Sequence, residues 1–380
     1  MVSPDNPQSR WGQIAVLRGW AHVYYAFDVG LAIDLDEADR RATAQKGRTQ
    51  IQSRKRVAKY FEFVPAPARV TRTCAEFEAA PGFKTLNTAE ALLFDFGAIS
   101  VHFKIPIEGN FLDAIRLSAA LYDHPGLRGH ARNAVEQLVR EIGPAVSKPR
   151  IADHVEDYNI FQIEEFLPEI PVSRLLSEYP DAISSLLRAD THPLSQEEVQ
   201  DVVSHRISYG QTDLTLVDWN CALIFDTEAD DIRAVLEFTN VALLEFSYLD
   251  GQMDAALDEF YEYFAKTRAA LSRARFRSFR PELKKISQFQ IDSAILFEGV
   301  TNALKLFGDV FLARLYRLSA KRLGLADWDA SINRKLRTVE SIYEKISDLE
   351  STRRMEILEW IIIALIAVSI GISFIPGTMH

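Results

Sequence analysis

The chain has 380 residues, of which 48% are hydrophobic and 25% are charged, and its formal net charge is -10. These values are those of an ordinary globular protein that buries one large core or two smaller ones. The acidic balance disfavours a general nucleic-acid binder, and the two cysteines, Cys74 and Cys221, have no zinc-ligand spacing and are expected to be thiols.

The first segment, residues 1–20, is predicted to be an N-terminal extension. A secretory signal needs an apolar core, but polar residues occupy that position: Asp5, Asn6, Gln8, Ser9 and Arg10. No secretory signal is therefore expected here.

Residues 21–230 are predicted to form an α+β head domain with a mixed sheet. Runs rich in β-branched and aromatic residues predict strands at 22–27, 31–35, 59–64, 92–96, 99–105, 158–166, 205–209 and 215–225. Helices are predicted at 36–45, 111–121, 129–143, 173–187 and 195–203, the last with a capping box that begins at Ser195. Strands and helices do not alternate strictly, which favours an α+β sheet over a doubly wound one.

Residues 231–355 are predicted to form a helical stalk of three long helices, because apolar residues recur there at spacings of three and four. Breaks are predicted at 277–281, where Pro281 suits a first helical turn, and at 324–327. An aromatic stripe on the stalk includes Phe246, Phe307 and Phe311. It predicts helix packing within the stalk, or self-association through a coiled-coil-like face into a homo-oligomer.

Residues 356–376 are predicted to be one C-terminal transmembrane helix, followed by a short tail at 377–380. As a helix, the apolar stretch 357–375 would rise roughly 28 Å, about the thickness of a hydrocarbon core. Glu359 and Trp360 would mark its interfacial end as the membrane anchor. Arg353 and Arg354 precede the span and no positive residue follows it, which predicts a single-pass protein with its body on the cytoplasmic side of an inner membrane.

The C-terminal third carries a recognisable pattern: 236–240, then 243–245 and Asp250, then 300–305, 308–309, 335–336, and 358–363 before the span. Together with Leu93-Phe94-Asp95-Phe96-Gly97 and Val101-His102-Phe103 earlier in the chain, this pattern resembles the required-for-meiotic-nuclear-division family. The resemblance covers roughly 92–370. It implies a membrane-anchored protein, linked in eukaryotes to mitochondrial translation, and it carries over no catalytic residue.

No catalytic motif is recognisable: the sequence lacks a phosphate-binding loop, a dinucleotide glycine fingerprint, a nucleophile elbow and a metalloprotease motif. No catalytic residue, metal or cofactor is therefore predicted. Polar residues within apolar runs have two readings. They are a buried network that fixes how helices meet the sheet, or they line a small ligand-binding pocket at the head–stalk junction. The predicted hydrogen-bond acceptors of this pocket are Asp218, Asn240, Asn302 and Asp309.

A basic segment stands out in this acidic chain and is predicted to contact a membrane or a partner. Its predicted contact residues are Arg268, Arg273, Arg275, Arg277 and Arg280. A solvated surface is the simpler explanation of such a run.

These patterns favour a membrane-tethered, non-enzymatic scaffold that recruits a partner to the cytoplasmic membrane face. The predicted partners are membrane lipid, a second copy of the chain, and an unknown protein or ribosomal partner, the last by analogy alone. The alternative is a ligand-sensing or enzymatic head with a polar pocket.

Overall fold

A computed structural model describes residues 15–42, 45–48, 66–270, 284, 287–291, 293–295 and 310–373. The chain divides into two compact units. Unit 1 comprises residues 1–248 and 295–329, and unit 2 comprises residues 249–294 and 330–380.

Unit 1 is built on a nine-stranded sheet with the order β11-β12-β13-β10-β1-β8-β7-β4-β3. Every neighbouring pair is antiparallel except β10 and β13, which run parallel. Two small sheets pair β2 with β9 and β5 with β6. The strands are β1 Ala15–Asp28, β2 Ala32–Ile33, β3 Gln45–Arg48, β4 Ala68–Thr73, β5 Glu78–Ala80, β6 Phe83–Lys84, β7 Thr88–Leu93, β8 Ala98–Asn110, β9 Val146–Ser147, β10 Val155–Leu167, β11 Arg206–Ile207, β12 Leu214–Val217 and β13 Cys221–Phe225.

The helices that the structure describes are numbered α1 to α9 in chain order. Unit 1 contains α1 to α6, the first part of α7, α8 and the first residues of α9. Their bounds are α1 Leu35–Arg41, α2 Phe111–Leu121, α3 Pro125–Ile142, α4 Val172–Glu178, α5 Pro180–Leu187, α6 Gln196–Ser204, α7 Asp230–Ala270, α8 Val310–Arg322 and α9 Leu325–Ser373. A short 3-10 turn, Gly143–Ala145, follows α3.

The main core lies on one face of the sheet. Along β1 the side chains of Val23, Tyr25 and Phe27 point to this face, because successive residues of a strand alternate between faces. They pack in one apolar cluster with residues of α2, α3 and α5, such as Leu117 and Leu138. Burial of these side chains stabilises the fold at roughly 25 cal/mol per Å² of apolar surface.

The opposite face of the sheet meets α7. Arg233 in the first turns of α7 donates to Gln162 of β10, and Asn240 donates to the carbonyl of Glu156 on the same strand. α8 is linked to this part of the molecule through Arg322, which pairs with Asp218 at the β12–β13 turn. The sheet is therefore a middle layer with helices on both faces.

Several predicted elements are confirmed. The helix predicted at 111–121 has the observed bounds of α2, with Asn110 as its N-cap. Ser195 caps α6 as predicted, because its side chain accepts from the backbone N–H of Glu198 at 3.2 Å. The break at 324–327 is also confirmed: α8 ends at Arg322, and Gly324 has a φ of +70° before α9 begins.

Other elements differ from prediction for local reasons. The helix predicted over 173–187 is two helices, because Pro180 disfavours helical geometry at the residue before it, and Tyr179 has φ −131° and ψ 36°. The strand predicted over 215–225 is a hairpin of β12 and β13 that turns at 218–220. The helix predicted over 36–45 is the shorter α1, Leu35–Arg41, and Asp34 caps it. The strand at 59–64 and the break at 277–281 lie outside the described residues.

Unit 2 contains the second part of α7 and most of α9. A pair of acids on α7 holds one cation of α9: Lys335 Nζ lies 2.7 Å from Asp250 Oδ2 and 2.6 Å from Asp254 Oδ1. Ser331 donates to Asp250 Oδ1 at 2.8 Å. These contacts fasten the two helices to each other within unit 2.

The prediction of a C-terminal transmembrane helix is wrong. Across the helices that the structure describes, none combines the length and the apolar character needed to cross a membrane. In α9 the described side chains beyond Glu359 form an apolar run from Trp360 to Ile366. The rest of the predicted span lies outside the described side chains.

The tail anchor and the single-pass localisation with a cytoplasmic body depended on that span, so both are corrected with it. The fold class changes accordingly. The chain is a mixed α/β protein with a large sheet and many helices, not an α+β head and helical stalk that end in a transmembrane helix.

Candidate functional site

Two of the four acceptors predicted for a polar pocket fall in the described part of the chain. Asp218 and Asn240 are both buried, and the structure places them in separate clusters. Asn240 donates to the Glu156 carbonyl at 3.3 Å, while its Oδ1 has no hydrogen-bond partner among the described residues. Asn302 and Asp309 lie outside the described residues.

Asp218 is the centre of an ion-pair cluster. Its carboxylate is fully buried and lies 2.8 Å from Arg322 Nη2 and 3.2 Å from Arg188 Nε. Both guanidinium groups also contact Asp201, at 2.6 Å and 2.9 Å. Arg188 also contacts Glu198 at 2.9 Å, so two arginines meet three acids here. Such a cluster is a buried network that fixes helices on the sheet, which is the other reading of the polar residues in the sequence.

The structure does not describe the side chains of the residues predicted to contact a membrane or a partner. Arg273, Arg275, Arg277 and Arg280 lie outside the described residues, and Arg268 lies in α7 at a position without a described side chain. The two anchor residues predicted at the membrane interface, Glu359 and Trp360, are exposed on α9. Their predicted role as an anchor falls with the transmembrane span.

A different cluster, on the face of the sheet that meets α7, has the features of a functional site. The strand register places its members side by side: Tyr24 of β1 lies opposite His102 of β8, and His102 lies opposite Glu90 of β7. His22 lies opposite Lys104 in the same pairing of β1 with β8. We call this cluster the histidine site; its members are His22, Tyr24, Arg69, Glu90, Ser100, His102, Lys104, Gln162, Arg233 and Glu237.

Two histidines form the centre of the histidine site. His22 Nδ1 lies 2.9 Å from His102 Nε2, and the two rings stack with centroids 5.0 Å apart. Tyr24 stacks on the other side of His102 with centroids 4.5 Å apart. His22 is 1% exposed; its Nε2 makes no hydrogen bond of ordinary geometry with the described residues, and the Gln162 side chain is a polar neighbour of the ring. An imidazole nitrogen in this position can exchange a hydrogen bond with a group that reaches it.

Burial disfavours the charged form of both rings. It lowers the pKa of His22 well below the ordinary value, and the charges of His102, Arg233 and Lys104 lower it further, while Gln162 opposes the shift. Burial also lowers the pKa of His102, against the raising effect of Glu90. Two neutral imidazoles that share one hydrogen bond have one donating and one accepting nitrogen at the contact.

Glu90 determines the direction of that hydrogen bond. Its Oε2 lies 4.0 Å from His102 Nδ1, longer than a direct hydrogen bond, and it accepts from Arg69 Nη1 at 2.8 Å. Interaction with His102 is the largest cause that lowers the pKa of Glu90 to about 2. A carboxylate near Nδ1 favours the tautomer that carries its proton there, in which His22 Nδ1 donates to His102 Nε2 and His22 Nε2 carries no proton.

α7 supplies a cation and an acid to the histidine site. Arg233 Nη1 donates to Gln162 Oε1 at 2.5 Å, while Gln162 Nε2 donates to the Asp226 carbonyl at 2.9 Å. Glu237 is 8% exposed; burial raises its pKa to about 7, and Ser100 partly offsets this. Two carboxyl groups whose pKa values are driven apart, here Glu90 and Glu237, are a common basis for acid and base roles.

Within the described part of the chain, no group of three or more histidine, cysteine, aspartate or glutamate side chains is arranged to hold a metal ion.

The comparisons with known proteins identify a family. The family model described as the N-terminal domain of the uncharacterised protein MJ0711 matches residues 18–231. The chain belongs to this family. A relative with that name, from Methanocaldococcus jannaschii, is 22% identical over 237 residues, which cover 62% of this chain and 71% of the relative. No solved structure matches the chain.

The MJ0711 family match covers the strands of the histidine site and ends just before α7 supplies Arg233 and Glu237. Neither comparison names meiotic division or mitochondria. What they establish is membership of the MJ0711 family alone.

Sequence reasoning missed the histidine site, although a signal was present. His22 and Tyr24 alternate with apolar residues in one strand, and Ser100, His102 and Lys104 do so in another. Period-two polar residues normally indicate a solvent-facing side of a sheet. A solvent-facing side of a sheet does not require histidine or tyrosine. Their presence at those positions in two strands was therefore the available sign that another element covers this polar face.

Proposed function

We propose that unit 1 is a ligand-binding domain that exchanges a proton with a small molecule at the histidine site. The observation that carries this proposal is the buried Nε2 of His22, which has no hydrogen-bond partner among the described residues. A ligand hydroxyl or amine placed there gives Nε2 its missing partner. The proposal takes up the alternative expected from sequence, a ligand-sensing or enzymatic head with a polar pocket. It places the ligand among different residues.

The chain of contacts from Glu90 through His102 to His22 supports proton movement. When His22 Nε2 takes a proton from a ligand, the ring can pass its Nδ1 proton to His102 Nε2, and Glu90 stabilises the resulting positive charge. This is the logic of a carboxylate that orients a histidine base, extended by a second imidazole. Arg69 holds Glu90 in position through the 2.8 Å contact.

The protonation pattern is testable by NMR of protein labelled with ¹⁵N-histidine. We expect His22 to be neutral at pH 7, with its proton on Nδ1 and none on Nε2. Glu90→Gln should reverse or mix the tautomers of both rings, since the amide no longer favours a proton on His102 Nδ1. His192→Gln is the matched control, because His192 is 87% exposed and belongs to a separate contact with Asp190. A proton on Nε2 of His22 in the unchanged protein would contradict the proposal.

Recruitment of a macromolecular partner is a second candidate function, and one observation favours it. Tyr122 and Trp219 are about half exposed and form an edge-to-face pair with ring centroids 5.8 Å apart. Exposed aromatic pairs are frequent centres of protein–protein contacts. A partner linked to translation, and membership of the required-for-meiotic-nuclear-division family, are proposals that rest on the sequence resemblance.

Affinity purification separates this candidate from the first. If the aromatic pair recruits a ribosomal partner, Trp219→Ala should lower the recovery of that partner from cell extract. Leu17→Ala should not, because Leu17 is an exposed apolar residue on β1, apart from this pair. Equal recovery with both variants counts against recruitment through this pair. A homo-oligomer is likewise a proposal, and light scattering on the purified chain measures its stoichiometry.

A further inference from the structure

Three cationic side chains from three different elements gather at the histidine site. Arg69 comes from β4, Lys104 from β8 and Arg233 from α7. Two of them are close enough to affect each other: burial lowers the pKa of Lys104, and the charge of Arg233 lowers it further. Gathering like charges in a partly buried place costs free energy unless a negative group is present to offset it.

The acids of the protein offset this charge only in part. Glu90 contacts Arg69, Asp230 contacts Arg233 from a side chain that is 94% exposed, and Glu164 acts on Lys104 but is paired with Arg18. Glu237 is the remaining nearby acid, and its raised pKa of about 7 leaves it largely neutral below pH 7.

Lys104 has the most unused binding capacity. Its Nζ lies 3.7 Å from the centre of the Trp20 ring, and among the described residues it makes no hydrogen bond. An ammonium group has three donors, and the Trp20 ring occupies only one side of it. Lys104 lies opposite His22 in the β1–β8 register, and its charge acts on the His22 ring.

We propose that the histidine site takes a ligand that bears an oxyanion, a phosphate or a carboxylate, and that Lys104 and Arg233 bind it. An ammonium and a guanidinium form charge-assisted hydrogen bonds with either group. The oxyanion then lies beside His22 Nε2, which faces the part of the ligand that gains or loses the proton. This inference rests on the proposed function, because it names the chemistry of that same ligand.

The test uses the full chain with inorganic phosphate, sulfate and acetate as probes, at constant ionic strength set with chloride. Binding is followed by calorimetry and by the ¹⁵N resonances of His22 and His102. We expect phosphate or acetate to bind with a dissociation constant on the order of 1 mM and to shift the His22 resonances. Preference between phosphate and acetate separates the two oxyanion classes.

Lys104→Gln is the decisive variant, since it removes the charge while keeping a long polar side chain. It should weaken oxyanion binding by roughly tenfold to a hundredfold, the range for one charge-assisted hydrogen bond. Lys321→Gln, on the exposed side of α8, is the matched control and should leave binding unchanged. Far-UV circular dichroism establishes that both variants are folded.

The outcomes separate the two proposals. Absence of binding by all three probes, or binding that Lys104→Gln leaves unchanged, overturns the oxyanion inference whatever the tautomer of His22. Binding that depends on Lys104 while His22 carries its proton on Nε2 supports the oxyanion inference and contradicts the proton-exchange function. Binding without a shift of the His22 resonances places the anion elsewhere and overturns the inference.

Discussion

A buried pair of carboxyl groups makes stability depend on pH, and this dependence can be worked out from the structure. Asp28 at the end of β1 is 2% exposed, and Glu245 on α7 is fully buried. Neither oxygen of Glu245 has a hydrogen-bond partner among the described residues. Asp28 is paired with Arg150, whose Nη2 is 3.9 Å from Asp28 Oδ1 and whose side chain is 60% exposed. Among the described residues, no buried cation is paired with either carboxyl group.

Burial raises the pKa of Asp28 from 3.8 to about 7, against the opposing charge of Arg150. For Glu245 burial raises the pKa well above the ordinary value, and the charge of Asp28 adds to this. The folded state thus holds these protons more tightly than the unfolded state. Their stabilisation is complete below the unfolded pKa and is lost as pH rises through the folded pKa. For Asp28 the rise of the pKa from 3.8 to about 7 corresponds to about 4 kcal/mol of stability.

Asp28→Asn tests this magnitude, because the amide has the same shape and does not ionise. Relative to the unchanged protein, the variant should gain stability as pH rises from 4 to 8, by up to about 4 kcal/mol. The free energy of unfolding is measured by urea titration at each pH. Asp153→Asn is the matched control, since that side chain is fully exposed. A difference between Asp28→Asn and the unchanged protein that is constant across this range would refute the reasoning.

Two further substitutions test the packing of unit 1. Arg322→Met should cost about 3 to 5 kcal/mol of stability, because it leaves the buried carboxylate of Asp218 with one arginine fewer. Arg317→Met, on the exposed side of α8, should cost little. Equal melting temperatures for the two variants would contradict the ion-pair account. Gly97→Ala should destabilise the fold by at least about 1 to 3 kcal/mol, since Gly97 has a φ of +100° and an added Cβ would lie 1.9 Å from the Gly30 carbonyl oxygen. Calorimetric melting measures this loss. An unchanged melting temperature would show that the turn relaxes freely.

The sequence predicted best those features that depend on neighbouring residues. α2 was located at its observed bounds because its apolar spacing and its Asn110 cap are both local. The capping box at Ser195 is local in the same sense. Strand centres were found from β-branched and aromatic runs, but β1 and β8 extend beyond the predicted 22–27 and 99–105, since the pairing that lengthens a strand involves distant residues.

The site depended on contacts that no local pattern reveals. His22 and His102 are 80 residues apart, and Arg322 is 104 residues from Asp218. Whether a polar strand face is open to solvent or covered by a helix is decided by the fold as a whole. The interpretation of Asp218 and Asn240 as one pocket assumed that polar residues near the head–stalk junction converge, whereas the strand register and the path of α7 place them in separate clusters.

One side of α7 explains why the histidine site and the pH-sensitive pair differ in character. Arg233, Glu237 and Glu245 follow one another at intervals of four and eight residues, so all three project toward the sheet. A helix that only covered a sheet would carry apolar residues there. Glu237 lies among cations and beside Ser100, whereas among the described groups the charge that acts on Glu245 is that of Asp28. Under the proposed function, the desolvation cost of Glu237 is therefore tied to binding at the histidine site, and that of Glu245 to the stability of unit 1.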